Sequence, residues 1–269
     1  MANILIGLIA VFTATAIGSV ASDAAEIGVD PSGGRVPRAI FEGKIESGDF
    51  DKFIDFVFKR EHAVEVYLAS PGGNVGEAIK IGMAIRQLNL STVVPSKVLT
   101  NQAFDSLAIH HNLKGQKANY LCASACFFMF VAGIHRSTAD VGPAILGIHK
   151  PYLLDTELKK GSDQSIATEK QTRITVENYL RAMDVPAKYV EQMNLVPKGA
   201  TRWIRNDEFE SDFAGFIPKL RVWVNSKCGA ETKSSKEAAR IDCEREVQDE
   251  LARRAYGDVL QKPNSDVHE

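Results

Sequence analysis

The sequence predicts an α/β fold with mostly parallel strand pairing. Segments with strand-like and helix-like apolar periodicity alternate along the chain. A Ser-Pro-Gly-Gly break at 70–73 cuts one such strand off sharply before a helix. The chain has 269 residues, 45% hydrophobic and 25% charged, which suits one large globular domain, or one domain with extensions. Its net charge of −2 lacks the basic surplus of nucleic-acid binders, so no nucleic-acid partner is expected.

Residues 1–25 read as a signal peptide or an N-terminal anchor. No charged side chain occurs before Asp23, and the apolar run from Ile4 to Ile17 is shorter than the roughly 20 residues a spanning helix needs. Ser19-Val20-Ala21 has the small-x-small form of a cleavage site, although no basic residue precedes the apolar run. An exported protein, periplasmic or secreted, is the expectation; membrane association through this segment is the alternative. Four cysteines suit an oxidising compartment: Cys228 and Cys243 are plausible partners, Cys122 and Cys126 could also pair, and sequence leaves the three connectivities open.

"RVPRAIFEGKIES" from Arg35 reads as a strand approaching a polar turn. "GDFDKFIDFVFKR" places Phe50, Phe53, Ile54, Val57 and Phe58 at helical spacing. In "HAVEVYLAS", Val64, Val66 and Leu68 alternate up to the Pro-Gly-Gly turn, and "NVGEAIKIGMAIRQLNL" follows as an amphipathic helix. "STVVP" is a short strand closed by proline. Residues 96–118 are polar and poorly periodic, and read as an insertion. "ANYLCASACFFMFVAGIHR" runs from strand through turn into a buried helix ending at Gly133, and "GPAILGIHKPY" is a strand ending at His149. A helix covers about Ser165 to Met183, and "PAKYVEQMN" starts another. "WIRNDEFESDFAGFIPKLRVWVN" predicts a short helix and then a last strand. The tail is a helix with Cys243, Val247, Leu251, Ala255 and Val259 along one stripe.

In α/β folds, sites gather at the carboxyl ends of strands, and three candidates sit at such ends: Ser70 to Gly73, Cys122 to Cys126, and His149. Serine hydrolysis needs a positioned hydroxyl, a base, and N–H groups that hold an oxyanion. Ser124 lies at a strand-to-helix turn between two alanines, and His149 ends the next strand. Gly72 and Gly73 allow positive φ and close approach of backbone to a ligand. Each piece alone is commonplace; the ordered set is the signal.

These segments, "YLASPGGNVGEAIKIGMAIR", "CASACFFMFVAG" and "GIHKPY", resemble the Clp protease proteolytic subunit and its exported relatives within the ClpP/crotonase superfamily. The resemblance spans residues 36–218 and implies a spiral of ββα units, to which residues 219–269 add a C-terminal strand and helical tail. Ser124 and His149 stand 25 positions apart, as in that family. The resemblance implies Ser124 as nucleophile, His149 as general base, and the N–H groups of Gly73 and Ala125 as oxyanion hole. An extended peptide or protein substrate would lie beside Gly72, Asn74 and Val75 as an added strand. No cofactor is implied, and stacking into a homo-oligomer is open to such a fold.

The chain departs from that pattern at the third triad member, where Asn194 takes the place of an aspartate. An asparagine can orient an imidazole but cannot stabilise its cation as a carboxylate does. Asp163, Asp184, Asp207 and Asp212 are further candidates, with nothing local to favour one. The dyad therefore leaves two function classes: a serine peptidase, or a ClpP-like peptide-binding or assembly module. Acyl-CoA chemistry on the related crotonase fold lacks a readable adenine site. A cysteine nucleophile at Cys122 or Cys126 competes with Ser124, but the two cysteines read better as a brace around it. No metal is expected: His110 and His111 are adjacent without ligand spacing, and His62 and His135 read as surface or capping residues.

Overall fold

The computed structural model describes residues 24–29, 37–58, 62–97, 120–139, 142–151, 162–197, 199–229 and 237–261. The expected leader at 1–23 and nearly all of the 96–118 insertion lie outside the described residues.

Nine strands form two sheets among those residues. The larger is ordered β1 (Glu26–Val29), β2 (Arg38–Glu42), β3 (Glu65–Ala69), β4 (Ser91–Val94), β6 (His135–Thr138) and β9 (Gly215–Phe216). Its four central strands are parallel, and both edge strands are antiparallel. The smaller sheet is ordered β5 (Cys122–Ala123), β7 (Leu146–Ile148) and β8 (Arg202–Trp203). Eight helices accompany them: α1 (Asp49–Phe56), α2 (Val75–Gln87), α3 (Ala125–Val131), α4 (Ser162–Ala182), α5 (Ala187–Leu195), α6 (Asn206–Asp212), α7 (Pro218–Cys228) and α8 (Glu237–Gln261). The α/β class and the predominance of parallel pairing follow the sequence expectation. None of the described helices is long and apolar enough to cross a membrane.

Helix α3 is the core element. All seven of its residues are buried, so no face remains to carry polar side chains. Gly82 on α2 makes room beside it: a Cβ there would fall 1.9 Å from Tyr179 Oη and 3.1 Å from Phe128 O. The end carbonyls of a buried helix need partners other than water. Tyr179 Oη donates to Phe128 O at 2.7 Å and Thr92 Oγ1 to Phe130 O at 2.8 Å. Two guanidiniums cover the rest. Arg86 donates to Ala132 O at 2.7 Å and Val131 O at 3.2 Å; Arg136, itself fully buried, donates to Val131 O and, at 3.2 Å, to Gly133 O. Asp184 pairs with Arg86 at 3.0 Å.

The last strand expected within "FIPKLRVWVN" is a correction. Only Gly215–Phe216 is extended, and Pro218–Cys228 is helix α7. Arg221-Val222-Trp223-Val224 alternates locally, but proline is suited to the first turn of a helix, and Leu220, Val224 and Cys228 recur every fourth residue. That stripe packs on Val247 and Leu251 of α8, leaving Val222 and Trp223 78% and 42% exposed. The Cys228–Cys243 disulfide and a 2.7 Å Lys227–Glu250 ion pair join the two helices. Strands β1, β6 and β8 were not legible as strands, being short, and β6 reads "HRST".

His135, expected at the surface or as a cap, is half-buried. Its ring meets Phe216 at 4.8 Å, and its buried Nδ1 has no hydrogen-bond partner among the described residues. Burial lowers its pKa from 6.5 to about 4. Between those values the unfolded chain binds a proton that the folded chain does not, so stability falls as pH drops through that window. Urea midpoints at about pH 7.5 and about pH 4.5 should therefore differ less in His135→Phe than in the wild type. An unchanged difference would refute this role.

Candidate active site

Strands β5 and β7 are parallel, with Cys122 opposite Leu146 and Ala123 opposite Gly147. The Ser124 N–H extends the ladder by donating to Gly147 O at 3.0 Å. Ser124 is thus the first residue past β5, and His149 the first past β7, on neighbouring strands that end at one edge. A third segment joins them. Ser70, just past β3, bridges Cys122 through Ser70 N to Leu121 O at 2.7 Å and Ala123 N to Ser70 O at 3.1 Å. Pro71, Gly72 and Gly73 follow directly, so all three segments singled out in the sequence converge on this edge.

Ser124 has φ 58° and ψ −123°, a region that a residue with a side chain rarely adopts. It is half-buried, whereas residues 122, 123 and 125–134 on either side of it are buried. Its side chain lies against Gly72: a Cβ on Gly72 would be 2.5 Å from Ser124 Cβ and 2.9 Å from Ser124 Oγ. Gly72, at φ +102°, is held by its N–H to the buried Ser70 Oγ at 3.1 Å. Ser70 is thus a supporting residue, and its signal in the sequence is the Ser-Pro-Gly-Gly string.

Gly73 pairs with Ile45 as an isolated parallel bridge, in which Ile45 N donates to Gly72 O and Asn74 N to Ile45 O, each at 2.8 Å. In that pattern the bonds belong to the flanking residues, so the N–H and C=O of Gly73 itself point away from Ile45. Among the described residues, the N–H groups of Gly73 and Ala125 have no acceptor. The Asn74 side chain caps α2, its Oδ1 accepting from Glu77 N at 3.1 Å, and Val75 begins that helix half-buried.

His149 is half-buried, and its Nδ1 lies 2.7 Å from Lys150 O. A carbonyl only accepts, so Nδ1 is the donor in this contact. No hydrogen bond joins Ser124 Oγ to His149. Asn194 is exposed on α5, and its side chain bonds to no described residue. Three aspartates are engaged elsewhere: Asp184 with Arg86, Asp207 with Arg205 at 2.9 Å, and Asp212 with Tyr189 and Lys188, each at 2.6 Å. The side chain of Asp163 lies outside the described residues.

Cys122 and Cys126 form a disulfide with Cα atoms 5.3 Å apart, closing a short ring around Ser124. Cys228–Cys243 is the second. Both fit an oxidising environment. With every described cysteine bridged, no thiolate remains to compete with Ser124.

No family model matches the chain, and no curated protein is similar to it in sequence. Among solved structures, a mutant of the 1510-N membrane-bound stomatin-specific protease is similar over 72% of this chain and 84% of that chain, with 14% identity and a TM-score of 0.39. Residue roles here rest on the chain's own geometry.

Gly72→Ala forces a Cβ against Ser124 at a φ that alanine rarely adopts. A loss of at least about 2 kcal/mol in urea unfolding is expected, and near-wild-type stability would refute the packing. Peptide mapping without reduction should recover Cys122 linked to Cys126 and Cys228 linked to Cys243; free thiols at 122 and 126 would remove the brace.

Proposed function

We propose that this chain is a serine-type peptidase of ClpP-like fold, exported from the cytoplasm, acting through Ser124 and His149. The observation that carries the reading is the juxtaposition of Ser124, in its strained turn on Gly72, with His149 at the neighbouring strand end. Strained positive-φ residues concentrate where function over-determines the backbone. The unpaired N–H groups of Gly73 and Ala125 supply the donors that an oxyanion hole needs.

In this mechanism, His149 Nε2 takes the Ser124 proton as Oγ attacks the peptide carbonyl. The resulting oxyanion is held by Gly73 and Ala125 N–H. His149 then passes the proton to the leaving amine, giving an acyl-enzyme. Water, deprotonated by the same histidine, attacks that ester; His149 returns the proton to Ser124 Oγ as the acyl–Oγ bond breaks and the acid product leaves. Catalytic hydrogen bonds are often long without substrate, and the Ser124–His149 bond forms as the peptide binds. The Lys150 carbonyl accepts from Nδ1–H and holds that tautomer, whereas Asn194 is exposed on α5.

The alternative is a peptide-binding or assembly module, and the lack of a Ser124–His149 hydrogen bond favours it. A fluorophosphonate serine probe separates the two. Wild-type protein should label, with labelling abolished in Ser124→Ala and reduced by about a hundredfold or more in His149→Ala. Labelling that survives Ser124→Ala would sink the nucleophile assignment, and an unlabelled wild type would favour the binding module.

A further inference from the structure

Helix α7 is packed on one side and open on the other. Leu220, Val224 and Cys228 meet α8. Opposite them, Lys219, Val222, Trp223 and Ser226 fall at the i, i+3, i+4, i+7 spacing that places residues on one helix face. All four are exposed. Val222 and Trp223 are therefore an adjacent apolar pair held out in water, on a helix that the Cys228–Cys243 disulfide ties to α8.

The charges around the pair are of one sign. "PKLRVWVNSKC" contains Lys219, Arg221 and Lys227 and no carboxylate, in a chain whose 32 basic and 34 acidic residues nearly balance, so positive charge is concentrated on this helix. Lys219 lies between Val222 and Trp223 around the helix and has no carboxylate partner among the described residues. Arg221 flanks Val222, and its guanidinium donates to the neutral carbonyls of Phe216 and Ala214 at 3.3 and 3.4 Å, so its charge is not offset there. Lys227 flanks Trp223, with Nζ 5.3 Å from the indole centroid, and pairs with Glu250 at 2.7 Å; Glu250 in turn is shared with Arg254. An indole and a branched aliphatic group bordered by cations suit an anionic lipid surface, where the ring enters the headgroup layer and lysine and arginine stems carry their charges to phosphate. They suit a second copy of the chain poorly. In a two-fold contact the patch meets itself, and Lys219 and Arg221 would face their own kind.

We propose that this face of α7 is a docking surface for an anionic membrane, separate from the N-terminal segment and independent of the peptidase reading. Val222 and Trp223 enter the headgroup region while Lys219 and Arg221 meet lipid phosphates, and the disulfide keeps the face presented. Two apolar side chains and a few cations hold far less than a spanning helix does, so the contact is reversible and weakened by salt.

The test uses full-length protein carrying Trp203→Phe, which leaves Trp223 as the remaining tryptophan. Co-sedimentation and Trp223 emission are followed with vesicles of phosphatidylcholine alone and of phosphatidylcholine mixed equally with phosphatidylglycerol. Binding to the mixed vesicles should be about tenfold tighter or more, with Trp223 emission shifted to shorter wavelength. Salt at about 0.5 M should weaken it by shortening the Debye length. With both native tryptophans otherwise in place, Trp223→Ala and the double variant Lys219→Glu, Arg221→Glu should each weaken binding about tenfold, and Trp223→Phe should restore most of it. Equal binding to both vesicles, binding to neither, an unmoved emission, or binding that survives the α7 variants, as it would if the N-terminal segment alone held the lipid, would each overturn the proposal. A Trp223-dependent dimer in sedimentation velocity without lipid would overturn it too, by making the face a contact between copies.

Discussion

The structure depends on burying helix α3 with both of its ends under control. "ACFFMFV" has no side chain that could satisfy a helix terminus, so other elements must supply the partners. At the carboxyl end they come from α2, β4, β6 and α4: Arg86, Thr92, Arg136 and Tyr179 cover the carbonyls of Phe128, Phe130, Val131, Ala132 and Gly133. An unpaired buried carbonyl costs about 1–3 kcal/mol, so these contacts together outweigh any one packing contact in the core. They also fix the helix along its axis. Since the helix cannot slide, the residue before it is fixed as well, and that residue is Ser124.

Control at the other end is geometric. The Cys122–Cys126 ring spans only four positions and restricts the unfolded chain by about 2 kcal/mol, against about 3 kcal/mol for Cys228–Cys243 with its span of 15. The shorter bridge contributes less stability but closes around a backbone conformation that costs about 1–3 kcal/mol to hold. Gly72 presses on the same residue from β3, and the Gly147 carbonyl ties its N–H from β7. Three strands and one disulfide thus over-determine a single serine, which is half-buried in a chain segment that is otherwise buried.

Much of this was legible in the residues. The Pro-Gly-Gly break, the buried apolar run after "CASAC" and the strand ending at His149 each announced an element through periodicity or a breaker, and each element is present. The failures share one cause. Strands β6 and β8 are short and largely polar or singly apolar, so no alternation marks them; pairing with a neighbour makes them strands. "LRVWV" alternates as a strand would, yet folds as α7 because its every-fourth-residue stripe meets a partner helix far along the chain. His135 sits beside an arginine in sequence, which suggests a wet surface, but that arginine turns inward to the end of α3.

The sequence by itself determined the α/β class, the order of its main helices, and a serine, a histidine and a glycine turn at three strand ends. Local periodicity and backbone freedom are sufficient for those. Tertiary structure alone decided which cysteines pair, that the Lys150 carbonyl accepts a hydrogen bond from His149 Nδ1–H, and that Trp203 lies across Gly147. Each of these depends on a distance between groups placed by strand register or by the packing of separate elements, and neither register nor packing is encoded in any single stretch of residues.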